Sequence, residues 1–291
     1  MANTLALAKK YTTLLDEVYK QASLTADLDG DSSDIRDGAN AEEFVIPKIT
    51  LQGLANYSKT SGYVSGDITL AWETVKANFD RGRKFNIDAV DNEDTAINLI
   101  GKLAAAFERE KVVPEVDAFR FASYAALAGT SPAGAALSTA ADAIAALRVA
   151  AVAMDEAEVP ETSRILYITP TIRGLIDDQD TTKSKAVLAR FSKIIQVPQS
   201  RFYTAITQYD GTTGGQEAGS FIKNAATGLN INFLVIDPKA VLQIQKHKIN
   251  KLFTPDVNQA ADAWLLDYRL VCLSDAYDNK AKGIYLHKST S

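Results

Sequence analysis

Two strand-like runs joined by a long polar stretch constrain this chain more than anything else in it. Phe44 to Leu51 and Ile68 to Val75 read as extended, the second placing Ile68, Leu70 and Trp72 on one face and Thr69, Ala71 and Glu73 on the other. Between them Gln52 to Asp67 is polar, carries Tyr57 and Tyr63, and is punctuated by Gly62 and Gly66. A hairpin with a long tip is the simplest arrangement. Pro47 has no N–H to give to a ladder, which puts the first strand at an edge. Strands of about 12 residues reach ~40 Å, roughly twice the ~19 Å radius of gyration of a compact chain of this size. The hairpin therefore projects. Aromatic side chains usually fill a core, but on a projecting hairpin Tyr57, Tyr63 and Trp72 leave apolar surface and open strand edges in water. Soluble monomers avoid that, and a neighbouring chain resolves the conflict.

Elsewhere helices and strands mix. Leu5, Leu14, Leu15 and Val18 have the spacing of a short amphipathic helix, and Thr25 to Asn40 turns to Asp, Gly and Ser like an irregular arm. Past Asp91 and Asn92, candidate caps, Thr95 to Lys111 places Ile97, Ile100, Ala104 and Phe107 on one stripe. Pro114 is expected to end or kink this helix, with Val116 to Ala128 as a second piece. Ser138 or Thr139 caps a further helix running to about Glu158. Arg164 to Ile176 and Ile231 to Ile244 echo one another, each a strand followed by a cap, a proline and a short apolar-striped helix. Lys183 to Ile195 reads as a helix, Phe202 to Ile206 as a strand, and Asp210 to Gly219 as a surface loop. Strands are expected near Leu265 to Leu273 and Gly283 to His287. The class is α+β.

Composition excludes some functions. With 291 residues, 46% hydrophobic and 23% charged, the chain buries a real core. A net charge of −5 argues against a surface that neutralises many phosphates or sits on an anionic membrane. No window approaches the length of a membrane span, and Met1 to Lys10 lacks the pattern of a secretory signal. The single cysteine, Cys272, lies in an apolar run and reads as a buried, inert thiol.

Candidate chemistry is thin. Asp27, Asp29 and Asp31 open like a calcium loop, but Ser32 stands where glycine is needed and Gly38 where the bidentate glutamate belongs. Gly211 to Gly215 lacks the lysine and following helix of a phosphate loop. His247 and His287 are the only histidines and are not at ligand spacing, so no metal or cofactor site is expected. Asp80 to Lys84 reads either as a solvated charged turn or as a set of arginines, Arg81 and Arg83, that pair with carboxylates of another subunit. Nucleic acid ranks third.

The run Tyr57-Ser-Lys-Thr-Ser-Gly-Tyr-Val-Ser-Gly-Asp-Ile-Thr-Leu-Ala-Trp-Glu73, with Asp80-Arg-Gly-Arg-Lys-Phe-Asn-Ile-Asp88 and Asp91-Asn-Glu-Asp-Thr95, resembles a family of tailed-bacteriophage major capsid proteins. So do Lys111 to Arg120, Val197 to Tyr203, Phe253 to Asn258 and Lys282 to Lys288, across nearly the whole chain. The resemblance implies the Hong Kong 97-type phage capsid fold. In that fold residues 1–41 form the N-terminal arm and 42–91 the extended loop and flanking strands. Residues 92–134 form the peripheral domain with its long spine helix, 135–249 the axial domain, and 250–291 a return to the peripheral domain. It implies a non-enzymatic protein of the virion head, made in the host bacterial cytoplasm. Such a protein assembles with itself as hexamers and pentamers of an icosahedral shell enclosing double-stranded DNA, with portal and scaffolding proteins as further partners. The extended loop would then lie over an adjacent subunit, with Tyr57, Tyr63 and Trp72 as anchors and Arg81 and Arg83 as charge partners. Lys59 lies near the tip, and with no identifiable asparagine partner or activating glutamate no covalent cross-link is expected. An encapsulin-like nanocompartment shell, holding protein cargo, is the alternative. A metal-assisted hydrolase using the acidic N-terminal segment is more remote.

Overall fold

The computed structural model describes residues 23–30, 36–37, 43–88, 104–179, 182–258 and 263–290. The amphipathic helix expected around Leu5 to Val18 and the first turns expected after Asp91 lie outside them.

The arm residues 23–30 dock on the body through polar contacts and one plug, the fully buried Leu28. Strand β1 (Arg36–Asp37) pairs with the start of β2 (Glu43–Leu51), and β2 pairs antiparallel with β3 (Ile68–Lys76) over nine residues without a bulge. β2 is the middle strand of the order β1-β2-β3 rather than the edge that Pro47 led the sequence reading to expect; among the described residues β1 reaches only Phe44 and Val45, so its ladder there does not call on an N–H at Pro47. Phe44 and Ile46 pack with Leu242 and Leu273, and Lys246 stands 4.5 Å over the Phe44 ring. The hairpin is thus anchored at its base by this packing and farther out by Lys48, which reaches Asp278 at 2.6 Å.

The charged run does not form a turn. Asp80 to Lys84 lies inside strand β4 (Phe79–Asp88), and Asp80 takes Arg269 in a two-pronged pair at 2.9 and 2.5 Å. Charge density led the sequence reading toward solvent. An edge strand instead carries these side chains alternately to its two faces.

From residue 104 the chain is helical without a break through α1 (Val113–Ala126). Pro114 does not end it. The turn before it, Glu108–Val112, widens to π geometry, and the Val113 N–H donates to the Glu108 carbonyl five residues back. A π turn re-registers the backbone where proline removes a donor. It also carries Glu108 inward to Lys248 at 2.6 Å, a buried ion pair. Val112, Val113 and Val116 pack on Phe79, Leu270 and Cys272, whereas Phe121 and Tyr124 pack among Tyr167, Phe202 and Leu234. One helix therefore ties two cores together.

The second core surrounds a four-stranded sheet. Helix α2 (Ala140–Glu156) is capped by Thr139, whose hydroxyl oxygen accepts from the Asp142 N–H at 3.2 Å. Strand β5 (Ile165–Ile168) leads through Thr169 and Pro170 into α3 (Pro170–Gln179), as its sequence predicts. Lys183 to Ile195 is only partly helical. Helix α4 (Thr182–Leu188) ends early and β6 (Lys193–Gln196) follows, parallel to β5. Strands β7 (Ile206–Gln208) and β8 (Phe221–Lys223) form a small hairpin around the loop 209–220. β7 starts where the expected strand was to end.

Strand β9 (Ile231–Ile236) is fully buried. The expected helix after Pro238 does not form. Asp237 caps a single 3₁₀ turn, and the chain enters the long strand β10 (Val241–Phe253), paired with β11 (Ala263–Ala276), which pairs in turn with β4. Val241 and Ile244 favour the pleated surface, and pairing with β11 overrides their helical spacing. β12 (Ile284–Lys288) completes the sheet order β12-β9-β5-β6.

Two expected outcomes arise from this packing. Cys272 is buried, and burial pushes its thiol up to about 11. A thiol reagent at pH 8 is expected to label native protein far more slowly than unfolded protein, and equal rates would refute the inert reading. The second concerns acid. Asp155, hydrogen-bonded by Arg164 and Arg190, and Asp80, by Arg269, are held below the ordinary carboxylate range. Burial pushes Asp117 and Glu115 above it. For the first two, stability is present above the unfolded value of about 4 and lost as pH falls through their lowered values. For the second two, the folded state binds protons first, so stability rises as pH falls through their raised values. The denaturant midpoint is expected to peak in mildly acidic buffer and to drop below about pH 4. A midpoint declining steadily from pH 7 to 5 would contradict this.

Candidate assembly surface

Register places every second residue of the hairpin on a common face. Pro47 opposes Trp72, Ile49 opposes Leu70, and Leu51 opposes Ile68. These form an apolar ladder, and Ile49, Leu51, Ile68, Leu70 and Trp72 are 47% to 75% exposed. The opposite face carries Lys48, Thr50, Thr69 and Glu73, with Lys48 held by Asp278 at 2.6 Å. Beyond the strands the tip is organised rather than loose. Ser58 and Gly62 bridge, the Ser58 hydroxyl oxygen accepts from the N–H groups of Thr60 and Ser61, and Gly62 turns the chain at φ 77°. This brings Tyr57 and Tyr63 edge to face with centroids 4.9 Å apart, Tyr63 being 90% exposed. Lys59 is exposed on the same turn. The outer edge of β3 has no partner strand among the described residues.

Arg81 and Arg83 lie elsewhere, on β4, and both are engaged within the chain. Arg81 pairs with Glu115 of α1 at 2.8 Å and donates to the Tyr209 carbonyl at 2.8 Å. Arg83 donates to the Glu217 carbonyl at 2.9 Å. The structure therefore groups Tyr57, Tyr63 and Trp72 on one projecting element and separates the arginines from them.

No protein-family model matches the sequence, and no curated protein does. Solved structures do match. One from Mycobacterium phage Che8 has a TM-score of 0.58 at 13% identity, covering 91% of this chain and 90% of its own. The capsid of cyanophage P-SCSP1u gives 0.57 at 16%, covering 88% and 86%. A virus-like particle from Pyrococcus furiosus gives 0.59 at 10%, covering 96% and 98%. The chain has the Hong Kong 97-type capsid fold.

Within this capsid fold the sequence missed half of the apolar face. Ile49 and Leu51, and Leu54 and Val64 near the tip, are as exposed as the residues it singled out. The signal was available, since Pro47, Ile49 and Leu51 alternate as Ile68, Leu70 and Trp72 do. Two of the three calcium-like acids have partners within the chain, and Asp31 lies outside the described residues. Both Asp27 oxygens accept from Lys193, at 2.7 and 2.6 Å, and Asp29 accepts from Gln243 at 2.6 Å. Among the described residues no three His, Cys, Asp or Glu side chains converge as a metal site. His247 is exposed, and His287 is buried, stacked on Phe233 and 3.1 Å from the Asn232 amide.

Proposed function

We propose that the chain is the major capsid protein of a tailed phage, assembling with itself as hexamers and pentamers into an icosahedral head that encloses double-stranded DNA. One observation carries this reading. A subunit of this fold presents a hairpin with an apolar ladder and an aromatic tip in water, a surface that needs a second chain to cover it. Repetition suits such a contact, because many modest interfaces stabilise a closed shell while wrong pairings still dissociate. Tyr57, Tyr63 and Trp72 are the anchors laid on the adjacent subunit. DNA is enclosed without sequence reading, in keeping with the net charge of −5. Portal and scaffolding proteins complete the partner set. The role is structural, and of the acids the remote hydrolase reading invoked, Asp27 and Asp29 are held by Lys193 and Gln243.

Electron microscopy of the protein expressed alone and with a co-expressed scaffold tests this. Closed shells are expected in at least one case, and sedimentation as monomer in both would sink the reading. The likeness to a virus-like particle keeps a protein-filled nanocompartment in view, and the contents of native particles, genome-length DNA or protein, decide between them.

A further inference from the structure

We propose that Arg81 and Arg83 form a clamp that couples the projecting hairpin to the body around the four-stranded sheet and fixes the angle between the two. The clamp rests on the geometry below, and its consequence for a shell rests on the capsid reading.

The mechanical path is short. β3 ends at Lys76 and β4 begins at Phe79, so Ala77 and Asn78 alone separate the hairpin from the strand bearing the arginines. Asn78 is a fixed pivot, accepting from the Ser274 N–H at 3.0 Å and donating to the Ser274 carbonyl at 2.7 Å. Beyond it β4 lies antiparallel to β11 as the edge of its sheet. The two guanidinium groups then cross to the β7–β8 unit. Arg81 joins Glu115 to the Tyr209 carbonyl, and Gln208 donates to the same Glu115 oxygen at 3.2 Å. Arg83 reaches the Glu217 carbonyl.

The receiving loop is shaped for this. Gly211 sits at φ 77°, and a Cβ there would lie 2.7 Å from Arg83 Nη1; Gly219, at φ 68°, would place one at 3.5 Å. Asp210 accepts from the N–H groups of Thr212 and Thr213, both at 2.9 Å, which holds the turn. A cavity of about 360 Å³ lies alongside, walled by Phe85, Phe107, Tyr209 and Tyr268. Apolar packing therefore does not fill this junction, and the directional arginine contacts span it. A planar fork fixes orientation as well as distance. A neighbour seated on the hairpin loads it, and beside the contacts of Phe44, Ile46 and Lys48 at its base that load has a path to the loop through Asn78, Arg81 and Arg83. In a closed shell the angle between the two bodies sets curvature, and hence diameter.

Hydrogen exchange on the unassembled subunit reads the clamp, and particle diameter reads its consequence. In Arg83→Ala and in Gly211→Ala, amides of residues 209–221 are expected to exchange about tenfold faster or more, with β9 and β5 unchanged. Arg83→Lys is expected not to restore protection. Assembled variants are expected to give mixed diameters. Unchanged exchange would overturn the clamp, and faster exchange with wild-type diameters would overturn its link to curvature. Should the wild type form no shells, the capsid reading fails, while the exchange result still decides the clamp.

Discussion

Asp117→Ala is expected to lower the unfolding free energy of the subunit by about 3–5 kcal/mol, the usual cost of removing one member of a buried charged network. Asp117 is fully buried on α1 and receives four donors. They are the Ser23 hydroxyl at 3.0 Å, the Leu24 N–H at 3.1 Å, the Thr25 hydroxyl at 3.0 Å and Arg201 at 3.4 Å. Arg120 closes the network onto the Thr25 hydroxyl at 2.8 Å, and Gln243 takes the Thr25 carbonyl at 2.8 Å. The carboxylate thus binds the arm, the helix and the Gln199–Arg201 turn at one point. Alanine leaves those donors without an acceptor and Arg120 without its nearby countercharge. Asp117→Asn is expected to cost less. The amide keeps the shape and one acceptor, and burial already works against the charge at this position. Urea unfolding gives the numbers, and limited proteolysis near residues 23–30 reports whether the arm has come free. An alanine variant within about 1 kcal/mol of wild type would show that the arm is held by something else.

The same residue marks the boundary of what sequence alone discloses. A lone aspartate in a helical run reads as solvated, and nothing local announces donors more than ninety residues away in the arm. The contacts that Arg81 and Arg83 make within the chain were hidden for the same reason. Their nearest acids in sequence are Asp80 and Asp88, but their carbonyl partners stand 128 and 134 residues on. Short-range patterns fared better. Alternation defined the hairpin, and Thr139 and Pro170 placed two helix starts, whereas Pro47 pointed to an edge for what is the middle strand β2. Where a local pattern competed with long-range pairing it lost, as in Val241 to Ile244. Residues of helical spacing became strand there because β11 supplies the ladder.

Leu70→Ser combined with Trp72→Ser is expected to abolish assembly while leaving the subunit folded. Both side chains point to the exposed face, 54% and 47% accessible, so their loss should cost the subunit about 1–2 kcal/mol, less than it costs the assembly. Covered by a neighbour, the exposed half of a tryptophan is worth about 2–3 kcal/mol at 25 cal/mol per Å², and the leucine about 1–2. In the proposed shell each subunit gives one hairpin and receives one, so the whole loss falls on every subunit added. A penalty of about 3–5 kcal/mol raises the assembly threshold by roughly 10² to 4 × 10³. Tyr63→Ser, at the tip, tests the same surface with a smaller expected rise, because its partner ring Tyr57 remains. Light scattering against protein concentration measures the threshold, and circular dichroism verifies the fold. Shells forming at the wild-type concentration would remove the hairpin face as the inter-subunit clasp, although particles in the microscope would still establish a shell. A variant that unfolds would instead place these side chains in the subunit's own core, against the register that sets them on the solvent face.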